Sequence, residues 1–267
     1  MKKSYGIFLV LLCAQFFLQA RHFTKAEIHK IGRWVFFNET SGKFENMIFW
    51  NTHEEFPSLG IGHAIWHLQG HEHSYEEQFP ALCLYLKKNG IQLPRWLEKA
   101  LPLGAPWKNR QAFLKDEKRR GELLELLSST IDLQAQFMVD RFHTKILEIV
   151  EVAPAEHRKK IARHIALLEQ TPLGTYALID YLNFKGSGLN RLTDGTPQYW
   201  GLLQVLTDIP ENVNKETILK AFTISAAKVL TRRVQESGPE YKLIKFFHGW
   251  MRRISTYSDP SLLPQDL

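Results

Sequence analysis

Cysteine is nearly absent: the 267 residues hold two, Cys13 and Cys83. Cys13 falls within an apolar leader, so a chain that loses the leader keeps a single thiol and can close no internal disulfide. Stability must then come from a packed core, and the remaining chain of about 247 residues is long enough to build one large domain or two lobes. Long apolar runs are lacking too. The run from Ile7 to Leu18 is about a dozen residues, short of the roughly 20 that cross a bilayer as a helix. Preceded by Lys2 and Lys3 and followed by Leu18-Gln19-Ala20, it reads as a secretory signal peptide over 1–20. Leu12 before Cys13 is not the small residue of a lipid-anchoring site. An exported protein, periplasmic or secreted and without a membrane span, is expected. The sequence also has no Gly-x-Ser-x-Gly elbow and no glycine-rich phosphate loop, which argues against serine hydrolases and nucleotide enzymes. No Lys/Arg run alternates with aromatics, so nucleic acid is not an expected partner. Internal repeats and low-complexity segments are absent as well.

The chain does carry a mild positive charge, +6 in full and +4 without Lys2 and Lys3, which suits an anionic polymer such as cell wall. Thr24 and Glu27 form a capping-box pattern ahead of Ile28, Ile31, Trp34, Val35 and Phe36, whose spacing predicts one amphipathic helix ending near Asn38 to Gly42. From Lys43 to Trp66 the pattern changes. Met47-Ile48-Phe49-Trp50, a polar turn from Asn51 to Glu55, and a Leu59-Gly60-Ile61-Gly62 strand predict a small antiparallel sheet. Helices follow at Pro80 to Lys88, at about Gln111 to Val152 in one long stretch broken at most once, and at Ala155 to Glu169, Thr175 to Phe184, Lys215 to Arg233 and Tyr241 to Tyr257. The long stretch should bury Leu123, Leu124, Leu126, Leu127, Ile131, Phe137 and Ile146. Pro94, Pro102 and Pro106 make Ile91 to Trp107 a loop-rich insertion, and Lys185 to Gln198 reads as a loop. The fold class is α+β, mostly helical, with a small antiparallel sheet near the amino end and a larger helical lobe.

Glycoside hydrolysis commonly needs a protonated carboxyl beside an ionised one, held in different surroundings. Glu39 follows Phe36 and Phe37 at a helix end, where apolar neighbours and the negative end of the helix dipole favour its neutral form. It is the candidate general acid. Glu54 and Glu55 lie in a polar turn where solvation should keep a carboxylate charged, and either can be the second group. Ser58 has a hydroxyl to hold the attacking water, and Gly60 and Gly62 leave room for sugar to approach.

These residues resemble the phage-type lysozymes. That family places an acid Glu at the end of its first long helix, then a hairpin with an Asp and a Thr, then a strand reading Ile-Gly-Ile-Gly-His. Glu39, the hairpin, Ser58 and Leu59-Gly60-Ile61-Gly62-His63 occur here in that order. Downstream, Ala177 to Gly186 is similar to the family's central core helix. The resemblance implies a lysozyme-like fold over 21–267, with a helix-plus-hairpin catalytic lobe at 21–70, a helical insertion at 71–174 and a helical lobe at 175–267. It implies a muramidase that cleaves the β-1,4 bond between amino sugars of peptidoglycan or a related polymer and uses no cofactor. Four departures accompany it: Glu39 stands a few residues farther from the glycine strand than the family's acid, no Asp stands in the hairpin, Ser58 replaces Thr, and the middle segment is longer than a minimal lysozyme needs.

Tyr199-Trp200-Gly201-Leu202-Leu203-Gln204-Val205 is similar to the Gly-Leu-Met-Gln strand of the lytic transglycosylases, which makes Tyr199, Trp200 and Gln204 candidate sugar contacts. No Glu lies between Glu169 and Tyr199 to act as the acid of a second site. A lytic transglycosylase using Glu39, or a glycan-binding envelope protein without activity, is the alternative function. His53, His63, His67, His71, Glu72 and His73 gather metal-ligand types, but Gly62 and Gly70 divide them among elements. No metal is expected, and His63 reads better as an imidazole hydrogen-bonded to a carboxylate. Cys83, in an apolar run, reads as core rather than nucleophile.

Overall fold

The computed structural model describes residues 23–70, 76–191, 195–238 and 242–264. The expected signal peptide, and His71, Glu72 and His73 of the histidine cluster, lie outside the described residues. The chain is mostly helical with a small three-stranded antiparallel sheet near the amino end. No helix among the described residues is long and apolar enough to cross a membrane. Two compact units, one of Lys25–Asp140 and the other of Arg141–Leu267 together with the described residues before Lys25, divide the chain within the helix Ile131–Val152.

The first unit opens with α1, Lys25–Thr40, whose apolar stripe is buried as its spacing predicts: Ile28, Ile31, Trp34, Val35 and Phe36 all leave water. Gly32 lets the helix dock closely, because a Cβ there would stand 2.5 Å from the Ala135 Cβ. A 3-10 turn, Phe44–Met47, leads into β1 (Ile48–Phe49), β2 (Ser58–Leu59) and β3 (Ala64–Ile65). Ile48 pairs with Leu59 and Leu59 with Ala64, so these three share the buried face; Phe49, Ser58 and Ile65 share the other. The expected Leu59-Gly60-Ile61-Gly62 strand is not formed. Gly60 (φ 81°) and His63 (φ 49°) take left-handed backbone, which turns Gly60 to His63 into the connection between β2 and β3.

The 91–107 insertion is more than loop. It contains α3 (Arg95–Ala100), which follows α2 (Phe79–Lys88), and it sends Trp107 into an aromatic core. Trp107 packs edge-on against Trp66 and Phe113 at centroid distances of 5.9 and 5.0 Å, and Trp50 meets Phe113 at 5.5 Å. Cys83, on α2, is fully buried, and burial pushes its thiol far above the ordinary range. The single long helix expected from Gln111 is three: α4 (Arg110–Lys115), α5 (Glu117–Ser128) and α6 (Ile131–Val152). Asp116 makes the first break by capping α5, accepting from the Arg119 amide at 3.2 Å and from the Trp107 indole at 2.9 Å. Leu123, Leu126, Leu127 and Ile146 are buried as expected, whereas Leu124 on α5 is half-buried, as are Ile131 and Phe137 on α6, where the break before the helix turns the buried stripe toward Ala135, Val139 and Phe142.

The second unit contains α7 (Ala155–Leu168), α8 (Pro172–Lys185), α9 (Leu202–Asp208), α10 (Ile218–Glu236) and α11 (Ile244–Ser255). Thr171 caps α8 and Pro172 begins it, while Gly186 at φ 79° ends it. Every residue from Gly174 to Tyr181 is buried, so α8 is enclosed on all sides and packs against α7 and α9. Its one buried carboxylate, Asp180, is fully paired: Arg253 donates twice at 2.8 Å and the Tyr257 hydroxyl once at 2.7 Å. The Tyr199–Val205 segment is not a strand, since α9 starts at Leu202.

Candidate active site

The carboxyl of Glu39 comes from the last turn of α1. The helix stops there because Ser41 and Gly42 turn left-handed, at φ 55° and 74°, and its final carbonyls are taken by local donors. The Thr40 hydroxyl donates to Phe36 O at 2.6 Å, and Asn46 Nδ2 donates to Thr40 O at 2.9 Å. Asn46 also holds the opposite side of the site, because its own carbonyl accepts from His63 Nε2 at 2.9 Å. A carbonyl can only accept, so Nε2 carries a proton and Nδ1 is the nitrogen left to face Glu39. Nδ1 lies 3.5 Å from Glu39 Oε2, within ion-pair range and a small side-chain movement from a short hydrogen bond. The Glu39 side chain is 13 % exposed and that of His63 21 %. Phe49 covers the imidazole by stacking at 5.8 Å with planes 13° apart.

The turn that carries the other two candidate carboxylates is fixed through Trp50. Its indole donates to Glu54 O at 2.9 Å, the Glu54 amide donates to Asn51 O at 3.2 Å, and Arg110 Nε donates to Trp50 O at 2.7 Å. Glu54 and Glu55 are both exposed as residues. Solvation does not govern Glu54 as expected, however. Enough protein surrounds its carboxyl for burial to push its pKa up, against an opposing pull from His63. His63 therefore acts electrostatically on Glu54 as well as facing Glu39. Glu55 stands exposed on the same turn. Ser58 is buried on the sheet face that also bears Phe49, the ring stacked on His63.

Gly60 is explained by packing rather than by clearance for sugar. A Cβ on Gly60 would fall 2.5 Å from Gln134 Oε1, the same oxygen that accepts from the Ile61 amide at 3.0 Å. Gln134, from α6, also donates to Leu127 O at 2.7 Å and Thr130 Oγ1 at 3.0 Å, so one buried amide ties the glycine turn to the end of α5. Gly62 is half-buried on the same turn.

Tyr199, Trp200 and Gln204 belong to the other compact unit. Gln204 is the third residue of α9, and its amide is committed at both ends, accepting from Gly201 N at 2.9 Å and donating to Gly188 O at 3.3 Å. That makes it a helix-cap residue rather than a sugar contact. Trp200 is half-buried under the Arg233 guanidinium, 3.9 Å from its ring centre, with Tyr199 edge-on at 4.9 Å.

Thus the structure joins Glu39 to His63, brings Glu54 within the field of that imidazole, and puts Ser58 on the same sheet face as its stacking partner. Asn46 and Gln134 were not foreseen. Both act through contacts between residues distant in sequence, and neither stands in a recognisable local pattern. No family model matches the sequence, and no curated protein or solved structure matches the chain.

Proposed function

We propose that the chain is an exported peptidoglycan hydrolase, lysozyme-like in fold, that cleaves the β-1,4 bond between amino sugars. The observation that carries this reading is the pairing of a largely buried carboxyl at a helix end, Glu39, with an imidazole whose protonated Nε2 is fixed by a carbonyl. Glu39 in its neutral form gives its proton to the glycosidic oxygen as the C1–O bond breaks and the electron pair leaves with that oxygen. Glu54, in its ionised form, balances the positive charge that develops at C1 or draws a proton from the water that attacks it. It is preferred to Glu55 because it shares the field of His63 with Glu39. Ser58 supplies a hydroxyl to orient that water. The export signal read at 1–20 and the basic charge of the chain suit a wall polymer as substrate.

Release of soluble muropeptides from purified peptidoglycan, with mass spectrometry of the ends, tests the assignment. Glu39→Gln should lower release by roughly 10²–10⁴-fold while the wild type yields reducing ends. Anhydro ends would move the reaction to a lytic transglycosylase, and undiminished release by the variant would sink Glu39 as the acid.

A further inference from the structure

We infer that the first unit holds a second ligand site, separate from Glu39, in the cavity between the starts of α3 and α5, and that its ligand is an acidic sugar, a ring bearing a carboxylate. Only the choice of a wall sugar as that ligand rests on the hydrolase reading; the cavity and its lining do not.

The cavity measures about 670 Å³, in the range of small-ligand sites, and its wall is a tryptophan that the fold immobilises. Trp96, half-buried in the first turn of α3, meets Trp107 edge-on at 5.8 Å and Trp66 at 6.4 Å. Its indole N–H donates to Glu122 Oε2, and the Arg119 guanidinium lies 5.3 Å from its ring centre. Arg119 is itself held by Asp116, whose carboxylate also caps α5 and accepts from the Trp107 indole. An aromatic side chain locked on several sides offers a ligand apolar surface at little cost in side-chain entropy.

The charges around that wall select the ligand. Three cations, Arg95, Lys118 and Arg119, line the cavity against two carboxylates, Asp116 and Glu122. Both carboxylates are occupied with the protein's own donors, whereas Arg95 and Lys118 are exposed and have no acidic partner among the described residues. The positive charge left over calls for an anion, and the planar fork of Arg95 matches a carboxylate. Glu122 uses one oxygen for Trp96, so its other oxygen can accept from a hydroxyl. An indole for the C–H face of a ring, an acceptor for a hydroxyl and two cations for a carboxylate are together what an acidic sugar requires. A simple inorganic anion would make no use of the indole.

The matched probes are the β-1,4 disaccharide of N-acetylglucosamine and N-acetylmuramic acid, and diacetylchitobiose, which has the same two rings without the carboxylate. They are titrated into Glu39→Gln protein, so that neither is cut, and followed by the ¹H–¹⁵N signal of the Trp96 indole, assigned with Trp96→Phe. The acidic disaccharide should shift that signal and bind roughly tenfold or more tightly than its neutral counterpart. Reversing the two free cations, Arg95→Glu with Lys118→Glu, should remove that preference. Both positions are exposed in the first turn of a helix, where glutamate is well tolerated, and circular dichroism checks the fold. No movement of the signal with the acidic sugar, equal binding of the two sugars, or a preference that survives the reversal each overturns the proposal. Because the readout is binding, a wild type that releases no muropeptides while the Trp96 signal responds loses the hydrolase reading and keeps this site.

Discussion

Gln134→Met is the perturbation whose effect can be worked most directly from the structure. The substitution keeps the length and approximate volume of a side chain that is 1 % exposed, and removes its polar atoms. Three hydrogen bonds go: the one accepted from Ile61 N and those donated to Leu127 O and Thr130 Oγ1. Leu127 O keeps the Thr130 amide at 3.3 Å, and Thr130 Oγ1 keeps Leu126 O at 2.7 Å. Only the Ile61 N–H is stranded, at a cost of about 1–3 kcal/mol, with about 0.5–1.5 kcal/mol more for each donated bond. The expected loss is roughly 2–6 kcal/mol, a large share of the ~5–15 kcal/mol typical of a folded protein. Urea unfolding followed by tryptophan fluorescence suits the purpose, because five of the seven tryptophans lie in the Lys25–Asp140 unit. The midpoint should fall with little change in slope. A loss below about 0.5 kcal/mol would refute the claim that this amide holds the glycine turn in place.

Glu54 gives a pH-dependent prediction. Its folded pKa is raised above the ordinary 4.5, so its neutral form stabilises the fold below about pH 4.5, and that contribution is lost as pH rises through the folded value. Glu54→Gln, uncharged throughout, should match the wild-type melting temperature near pH 4 and exceed it near pH 7; a gap of the reverse sign refutes the assignment. In the second unit, Asp180→Asn breaks a buried pair and leaves Arg253 uncompensated, so thermal or urea unfolding should show a loss of about 3–5 kcal/mol. A loss of a few tenths would mean that Arg253 finds another acceptor.

How much could be read beforehand depends on how local the cause is. The five apolar positions of α1 recur at helical spacing, and they are buried where that spacing puts them. The helix end carrying Glu39 was legible too, because a Ser-Gly pair follows Thr40. Leu59-Gly60-Ile61-Gly62 misled because apolar and small residues alternate in it as they do in a strand, while the decisive fact, a left-handed Gly60, is held by Gln134, which accepts from Ile61 N, 73 residues before it. Tyr199 to Val205 read as a strand through its likeness to the lytic transglycosylase segment, not through its own periodicity. Its helical state depends on Gln204 reaching back to Gly201 N and across to Gly188 O. The upward push on the Glu54 pKa was not foreseen because the surrounding of its carboxyl by folded chain is a tertiary property that a polar turn sequence does not display.

The burial of Cys83 has a consequence in time rather than in energy. Thiol chemistry runs through the thiolate, and at Cys83 both access and ionisation are suppressed as long as α2 stays seated. A small alkylating reagent can reach the sulfur only in the moments when that helix lifts, so the rate at which the folded protein is labelled counts those openings. The same closure would keep this thiol silent in oxidising surroundings, where an exposed one would join two chains together.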